Sequence, residues 1–140
     1  MAHLDIKLEN LMLDEKFQLQ LIDFDLSYGP NDGDKLAGKG TKDFRSPELA
    51  AGKLGINVQK ADIFSAGVIL FVMFCGGLLP FKEEKGGQNG LYDNFRASRE
   101  AFWMIHGKVQ KKSQDFWPEE FKKLFNSMCH PNPKLRASLQ

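Results

Sequence analysis

The longest apolar stretch of the chain lies near its middle and predicts a helix that is buried on all sides. Residues 61–76 read ADIFSAGVILFVMFCG, and Asp62 is the only charged residue among them. Apolar side chains would cover every face of this helix, so no face is suited to water. A helix of this kind lies inside a domain, and the other elements pack around it.

A membrane span is the rival interpretation of this stretch. The uncharged run continues through residues 63–81, which is about the 18 residues or more that a span requires. Ser65, several glycines and Pro80 interrupt it, and the strongly apolar part, residues 68–75, is far too short to cross a bilayer. The buried central helix is therefore the favoured prediction.

Shorter patterns predict a hairpin before this helix and amphipathic helices after it. Two apolar-rich runs, residues 11–13 and 17–22, flank the polar residues 14–16 and predict a β-hairpin. Ser46 followed by Pro47 is typical of a helix start, with Ser46 as the N-cap of a short helix that ends before Gly52. Loops are predicted at residues 27–42 and 82–90, and amphipathic helices at 96–106 and 118–128, the second with Phe121, Leu124, Phe125 and Met128 in the core.

Composition narrows the function classes. The chain has 140 residues, enough for one domain, and its 19 basic and 18 acidic residues give no electrostatic attraction to nucleic acid or acidic lipid. Cys75 and Cys129 have no second cysteine or histidine at ligand spacing, which favours reduced thiols without a metal. The first ten residues lack the apolar run of a signal peptide, so we expect a cytoplasmic protein.

Candidate chemistry is concentrated at the beginning of the chain. Residues 3–10 place Asp5 and Asn10 in one polar loop before the hairpin, and Asp23 follows the second strand, which can return it beside Asn10. Two oxygen ligands, from Asn10 and Asp23, suit Mg²⁺, which fills the rest of its shell with phosphate and water. Asp5 would then be free to act as a base. For any one of these residues alone, a loop capped by Asx hydrogen bonds is the simpler interpretation.

Five motifs in order make the sequence resemble the eukaryotic protein kinase family. Residues 3–10 (HLDIKLEN) resemble the catalytic loop, and residues 23–25 (DFD) resemble the magnesium motif. Residues 40–48 (GTKDFRSPE) resemble the end of the activation segment, and residues 61–70 (ADIFSAGVIL) resemble the start of the central helix. Residues 132–138 (NPKLRAS) resemble the closing motif of the large lobe. Lys7 and the Gly40-Thr41 pair resemble the serine/threonine branch.

The resemblance implies a role for each matching residue. Asp5 would orient and deprotonate the substrate hydroxyl, Lys7 would neutralise charge on the transferred phosphoryl group, and Thr41 would position both. Asn10 and Asp23 would hold Mg²⁺ and, with Lys7, bind ATP. Asp62 would bind the backbone of the catalytic loop, and Glu48 would form a buried ion pair with Arg136. The implied partners are ATP and a protein substrate, without nucleic acid or membrane.

The resemblance also implies the fold. Residues 1–140 would form one partial kinase domain of the mainly α, large-lobe type, with a β-hairpin beside the catalytic loop, an activation segment at 23–48 and the central helix at 61–76. The family's glycine-rich loop and strand lysine precede the catalytic loop, so we expect the N-terminal lobe to be absent. One flank of the central helix would then be uncovered and promote self-association; it includes Ile63, Phe64, Ile69, Leu70, Val72, Met73 and Phe74.

Two departures from the family pattern concern the site. Asp25 replaces the glycine of the magnesium motif, which removes backbone freedom. Leu4 replaces the arginine that pairs with a phosphate on the activation segment in kinases switched by phosphorylation, and residues 29–39 contain no Ser, Thr or Tyr. We therefore expect activity that does not depend on phosphorylation of this segment.

Two function classes remain open. The first is the catalytic region of a serine/threonine kinase, inactive as an isolated fragment, and the second is a non-catalytic, kinase-like binding module. Residues 33–40 also come close to the phosphate loop G-x-x-x-x-G-K-[ST], but Gly40 lacks the required hydroxyl and no strand or helix pattern flanks the motif. We therefore interpret residues 33–40 as part of the activation segment.

Overall fold

The computed structural model describes residues 1–29, 36, 38–52, 57–82 and 90–139, and it is mainly helical, as predicted. Strands β1 and β2 span Leu11–Leu13 and Leu19–Leu21, and the helices are α1 (Pro47–Ala50), α2 (Val58–Phe74), α3 (Gly90–Ala97), α4 (Arg99–Gln110) and α5 (Glu119–Met128). Short 3-10 turns lie at Leu8–Asn10, Gln114–Phe116 and Pro133–Leu135.

Helix α2 is the predicted central helix, with shifted ends. It begins at Val58 rather than residue 61 because the side chain of Asn57 caps it, accepting a hydrogen bond from Lys60 N at 3.2 Å. It ends at Phe74, before Gly76 and Gly77, whose φ angles are +65° and +99°. Burial along α2 confirms its central position, and none of the helices that the structure describes is long and apolar enough to span a membrane.

The core around α2 is largely aromatic. Phe71 of α2 is fully buried, and its ring centroid lies 6.0 Å from that of Phe102 in α4 and 5.2 Å from that of Phe125 in α5. Phe81, in the segment after α2, packs on Phe95 of α3 at 5.3 Å. These tilted ring pairs join four elements and bury large apolar areas, so the chain downstream of α2 folds back over it.

The prediction that one flank of α2 is uncovered is wrong for most of the residues named, because the chain downstream of α2 folds back over the helix. Ile63, Phe64, Ile69 and Val72 are at most 9% exposed; Phe64 stacks on Phe81, and Val72 belongs to the aromatic core cluster. Leu70 is half-buried, while Met73 and Phe74 are exposed. Apolar side chains are instead exposed on the hairpin, at Met12, Leu13 and Leu19. Self-association through exposed apolar surface stays a prediction.

The hairpin forms with a shorter second strand than expected. Leu11 pairs with Leu21 and Leu13 with Leu19 in antiparallel register. Phe17 does not belong to the strand: its φ is +59°, its N–H donates to Asp14 O at 2.9 Å, and its side chain is 84% exposed. The turn therefore extends past residue 16, because the Asp14 carboxylate also accepts from the backbone N–H groups of Lys16 and Gln18 at 2.8 Å.

The single helix predicted at residues 96–106 is two helices. Ser98 separates α3 from α4 with extended φ and ψ of −152° and 116°, and its hydroxyl caps α4 by accepting from Ala101 N at 3.1 Å. In α5, Phe125 is buried and Phe121 and Met128 are half-buried, but Leu124 is 48% exposed and does not belong to the core.

The predictions around residues 27–56 are partly correct. Helix α1 starts at Pro47 as expected, but the Ser46 side chain makes no capping hydrogen bond. Residues 30–35 and 37 of the loop at 27–42, which include half of the phosphate-loop-like run at 33–40, lie outside the described residues, as do residues 83–89 of the loop at 82–90. Leu36 is described, and it is buried rather than exposed.

The predicted ion pair between Glu48 and Arg136 is confirmed. Arg136 Nη1 donates to Glu48 Oε1 at 2.6 Å and Nη2 donates to Oε2 at 3.1 Å, with both side chains buried. The guanidinium also donates to the carbonyls of Lys60 and His130 at 2.7 and 3.1 Å. One arginine therefore joins α1, the start of α2 and the end of the chain.

Glu48→Gln is expected to lower the free energy of unfolding by about 3–5 kcal/mol, because it leaves the buried Arg136 charge uncompensated. Urea denaturation followed by circular dichroism measures this. The matched control is Glu119→Gln, which removes the exposed partner of Lys122 and should change stability by about 0–1 kcal/mol. Similar losses in the two variants would contradict the assignment.

Candidate active site

Asp62 in the first turns of α2 holds the loop at residues 3–10. Its Oδ2 accepts a hydrogen bond from His3 N at 2.7 Å and its Oδ1 accepts from Leu4 N at 2.8 Å, which confirms the predicted contact. Leu4 has a φ of +64°, a left-handed conformation that is costly for a leucine. Burial raises the pKa of Asp62, although these two hydrogen bonds oppose the shift. The carboxylate thus stabilises a loop conformation that the loop alone would disfavour.

His3 connects this loop to the end of β2. Its Nε2 lies 2.9 Å from the Ile22 carbonyl, which can only accept, so Nε2 carries the proton and Nδ1 accepts from Asp5 N at 3.2 Å. Its ring makes an edge contact with Phe24 at 4.7 Å. No role was expected for His3 from the sequence beyond its place in the motif at residues 3–10.

Asp5 is the centre of a polar cluster. Its Oδ1 accepts from the backbone N and the hydroxyl of Thr41, at 2.8 and 2.7 Å, and its Oδ2 lies 2.8 Å from Lys7 Nζ. Lys7 Nζ also donates to the Thr41 hydroxyl at 3.2 Å. The Asn10 amide nitrogen donates to the Asp5 carbonyl at 2.9 Å and approaches Oδ2 at 3.3 Å. Four of the five predicted site residues therefore belong to one cluster centred on Asp5.

The cluster sets the charges of Asp5 and Lys7. Burial acts to raise the pKa of Asp5, but the hydrogen bonds from Lys7 and Thr41 together outweigh it, and the pKa is lowered. The hydrogen bond to Asp5 raises the pKa of Lys7, with smaller contributions from other nearby carboxylates, including Asp23. Asp5 is therefore an anion and Lys7 a cation at neutral pH.

Gly40 allows Thr41 to reach Asp5. Its φ is +86°, and a Cβ placed on it would lie 2.5 Å from the Leu4 carbonyl oxygen, closer than any side chain can approach. The chain at residue 40 can therefore approach the loop at residues 3–10 this closely only with glycine at this position. In the sequence Gly40 is recognisable as part of a motif, but this contact is not.

Asp23 comes to the loop through the hairpin. Ile22 N donates to Asn10 O at 3.0 Å, which extends the strand pairing by one step and places Asp23 directly after it. Asp23 is exposed and has a φ of +63°, whereas Asp25 is not among the residues with positive φ. The glycine of the motif is thus replaced where no left-handed conformation is required, and we find no strain at Asp25.

The donor set fits a hard cation. The Asn10 amide nitrogen is engaged with Asp5, so its oxygen is the atom that could bind a metal, and Asp23 offers an exposed carboxylate. Within the described part of the chain, no group of three or more His, Cys, Asp or Glu side chains could hold a metal ion. One amide oxygen and one carboxylate suit Mg²⁺, which needs few protein ligands, and not a structural metal.

Comparison with known proteins decides the family. The family model described as the protein kinase domain matches residues 1–140. The chain belongs to the protein kinase family. It is 34% identical over 99% of its length to CBL-interacting serine/threonine-protein kinase 20 of Arabidopsis thaliana and 36% identical, over the same share, to kinase 24 of that series. It is also 40% identical over 65% of its length to the carbon catabolite-derepressing protein kinase of Candida tropicalis.

These relatives identify the branch and show how much of a kinase the chain represents. The names of the two Arabidopsis relatives support the serine/threonine branch, as the sequence motifs predicted. The chain spans 29% and 28% of the lengths of the two Arabidopsis kinases and 16% of the Candida kinase.

Thr41→Val is expected to raise the pKa of Asp5 toward its ordinary value, because the variant loses the hydroxyl that bonds Oδ1 and keeps only the backbone N–H. Thr41→Ser retains the hydroxyl and should leave this pKa close to that of the unmodified chain. NMR titration of the Asp5 carboxyl carbon measures the shift. An Asp5 pKa that is the same in all three proteins would show that the hydroxyl does not influence this carboxylate.

Proposed function

We propose that this chain is the catalytic region of an ATP-dependent protein serine/threonine kinase, which transfers the ATP γ-phosphoryl group to a protein hydroxyl. The observation that supports this most directly is the Asp5 carboxylate held between Thr41 and Lys7. Phosphoryl transfer requires positioning and neutralisation of charge rather than covalent chemistry by the enzyme. A positioned anion beside a cation supplies both.

The proposed roles follow from the charges. Asp5 accepts a hydrogen bond from the substrate hydroxyl and then its proton, while Lys7 moves from Asp5 toward the transferred phosphoryl group. Thr41 keeps Asp5 in place through its backbone N–H and hydroxyl. Asn10 and Asp23 would hold Mg²⁺, which neutralises the phosphate oxygens when bound.

A non-catalytic, kinase-like binding module is the second candidate. The hairpin favours it, because Leu13 and Leu19, which are paired across the two strands, are both more than half exposed. Contiguous exposed apolar surface commonly marks a contact with another protein. The two candidates differ in whether Asp5 is required for phosphoryl transfer.

The isolated 140-residue chain is expected to transfer phosphate far below the usual kinase range of about 1–100 per second, since its sequence contains no glycine-rich G-x-G-x-x-G loop to position the phosphates. The catalytic role is tested in a longer natural protein that contains these residues together with a glycine-rich loop. In that longer protein, Asp5→Asn should lower kcat by about 10²–10⁴-fold.

A radiolabel assay with Mg²⁺-ATP and a basic peptide measures both. Asp115→Asn, the same chemical change at an exposed position, is the matched control and should leave kcat unchanged. Turnover by the isolated chain within the usual range would overturn the first expectation. Activity of the longer protein that survives Asp5→Asn would overturn the proposed catalytic role.

We also propose that activity does not depend on phosphorylation of the activation segment. Leu4 stands where an arginine would be needed to bind a phosphate, and it is 2% exposed. Leu36 of the segment is buried in the same apolar cluster as Leu4, together with Ala2, Leu49 and Ala61. An apolar contact therefore takes the place of a charge-assisted bond between the segment and the loop.

Treating the longer protein with a broad phosphatase is expected to leave its activity unchanged, with mass spectrometry confirming that Ser27, Tyr28 and Thr41 carry no phosphate. Leu36→Ala should lower activity because it removes the buried contact, whereas Leu139→Ala, at an 87% exposed position, should not. A large loss of activity that tracks the removal of phosphate from this segment would refute the proposal.

A further inference from the structure

A cavity of about 470 Å³ lies between α4 and the chain that leads into α5, lined on its apolar side by Trp103, Met104 and Trp117. No residue assigned to the kinase site contributes to its lining. Its volume falls within the range of about 300–1,000 Å³ that is typical of binding pockets.

The apolar wall of this cavity is closely packed. Trp103 and Trp117 are 8% and 2% exposed, and their ring centroids lie 5.5 Å apart. Trp117 Nε1 also donates a hydrogen bond to the Cys75 sulfur, 3.4 Å away, directly after α2. Because the wall is tied to the central helix, the cavity does not need to be ordered by a ligand, and binding is correspondingly less costly.

The rim of the cavity is positive. Four lysines line it and Glu100 is the one acidic residue there. Lys122 is paired with Glu119 at 2.7 Å, and Lys112 lies over the Phe116 ring at 4.7 Å from its centroid. For Lys108 and Lys111, at the end of α4, the structure describes no ion pair. The chain as a whole has a net charge of +1, so this positive potential is local.

We propose that this cavity binds an acidic peptide segment of another protein, which inserts one aromatic or aliphatic side chain between the tryptophans and Met104. The carboxylates that flank the inserted side chain would lie against Lys108 and Lys111. The apolar wall supplies affinity and the lysines supply selection for negative charge. This proposal goes beyond the kinase function and does not depend on it.

A single-stranded nucleic acid is the other polyanion to consider, and the structure disfavours it. Base stacking requires exposed aromatic faces along a basic groove. The lysines here surround one compact cavity and do not form a groove that could follow a nucleic-acid backbone.

The tryptophans make the test specific, because the chain has two and both line the cavity. The probe is a short peptide of glutamates flanking one phenylalanine, titrated into the 140-residue chain while tryptophan fluorescence is recorded. A saturable change is expected, and binding should weaken as salt is added. Replacing the peptide phenylalanine by alanine should weaken binding about tenfold or more, since a buried phenylalanine contributes about 1.5–3 kcal/mol.

Lys108→Glu is expected to weaken binding of the probe peptide about tenfold, because it turns an attraction at the rim into a repulsion. Lys123→Glu makes the same charge change at an exposed position of α5 outside the cavity lining and should have less than about a threefold effect. Circular dichroism checks that both variants fold. The absence of a saturable change, equal weakening by both variants, or equally tight binding of single-stranded DNA would each overturn the proposal.

Discussion

The contact between Asp62 and the backbone of residues 3 and 4 is the constraint on which the site depends. The central helix is buried because its sequence has no polar face. Asp62 is its one charged residue beyond the first turn. Burial makes an ionised carboxylate costly there, as its raised pKa reflects, and the N–H groups of His3 and Leu4 offset that cost. The buried central helix thereby holds Leu4 in a left-handed conformation, and this fixes the loop that carries Asp5.

A second anchor controls the approach of the activation segment. Glu48, at the end of that segment, is tied by Arg136 to the carbonyls of Lys60 and His130, so the segment returns to the same helix. Gly40 then passes close enough to the Leu4 carbonyl for Thr41 to bond Asp5. The two contacts together bring Thr41 to the Asp5 carboxylate. This explains how Thr41, 36 positions away in sequence, lowers the pKa of Asp5.

The same helix supports both surfaces that we propose as functional. Its beginning carries Asp62 and hence the Asp5 cluster, while Cys75, directly after its end, accepts the Trp117 N–H and steadies the wall of the lysine-rimmed cavity. The two surfaces differ in chemistry. In the Asp5 cluster the charges of Asp5 and Lys7 are paired, which suits the positioning of reacting groups. In the lysine-rimmed cavity an excess of lysines surrounds an apolar wall, which suits the recognition of an acidic partner.

The sequence by itself determined the central helix and the hairpin, and it predicted the site residues. A helix that is apolar on all faces is expected to be buried, which predicts the central helix. The order of the motifs predicts the site residues without knowledge of any contact; they are Asp5, Lys7, Asn10, Asp23 and Thr41. The motifs also implied the contacts of Asp62 with the loop at residues 3–10 and of Glu48 with Arg136, and the tertiary structure decided the other contacts. It split the predicted helix at Ser98, covered most of the α2 flank, buried Leu36 and gave His3 a role. These outcomes depend on contacts between residues distant in sequence, and local periodicity and spacing carry no information about such contacts.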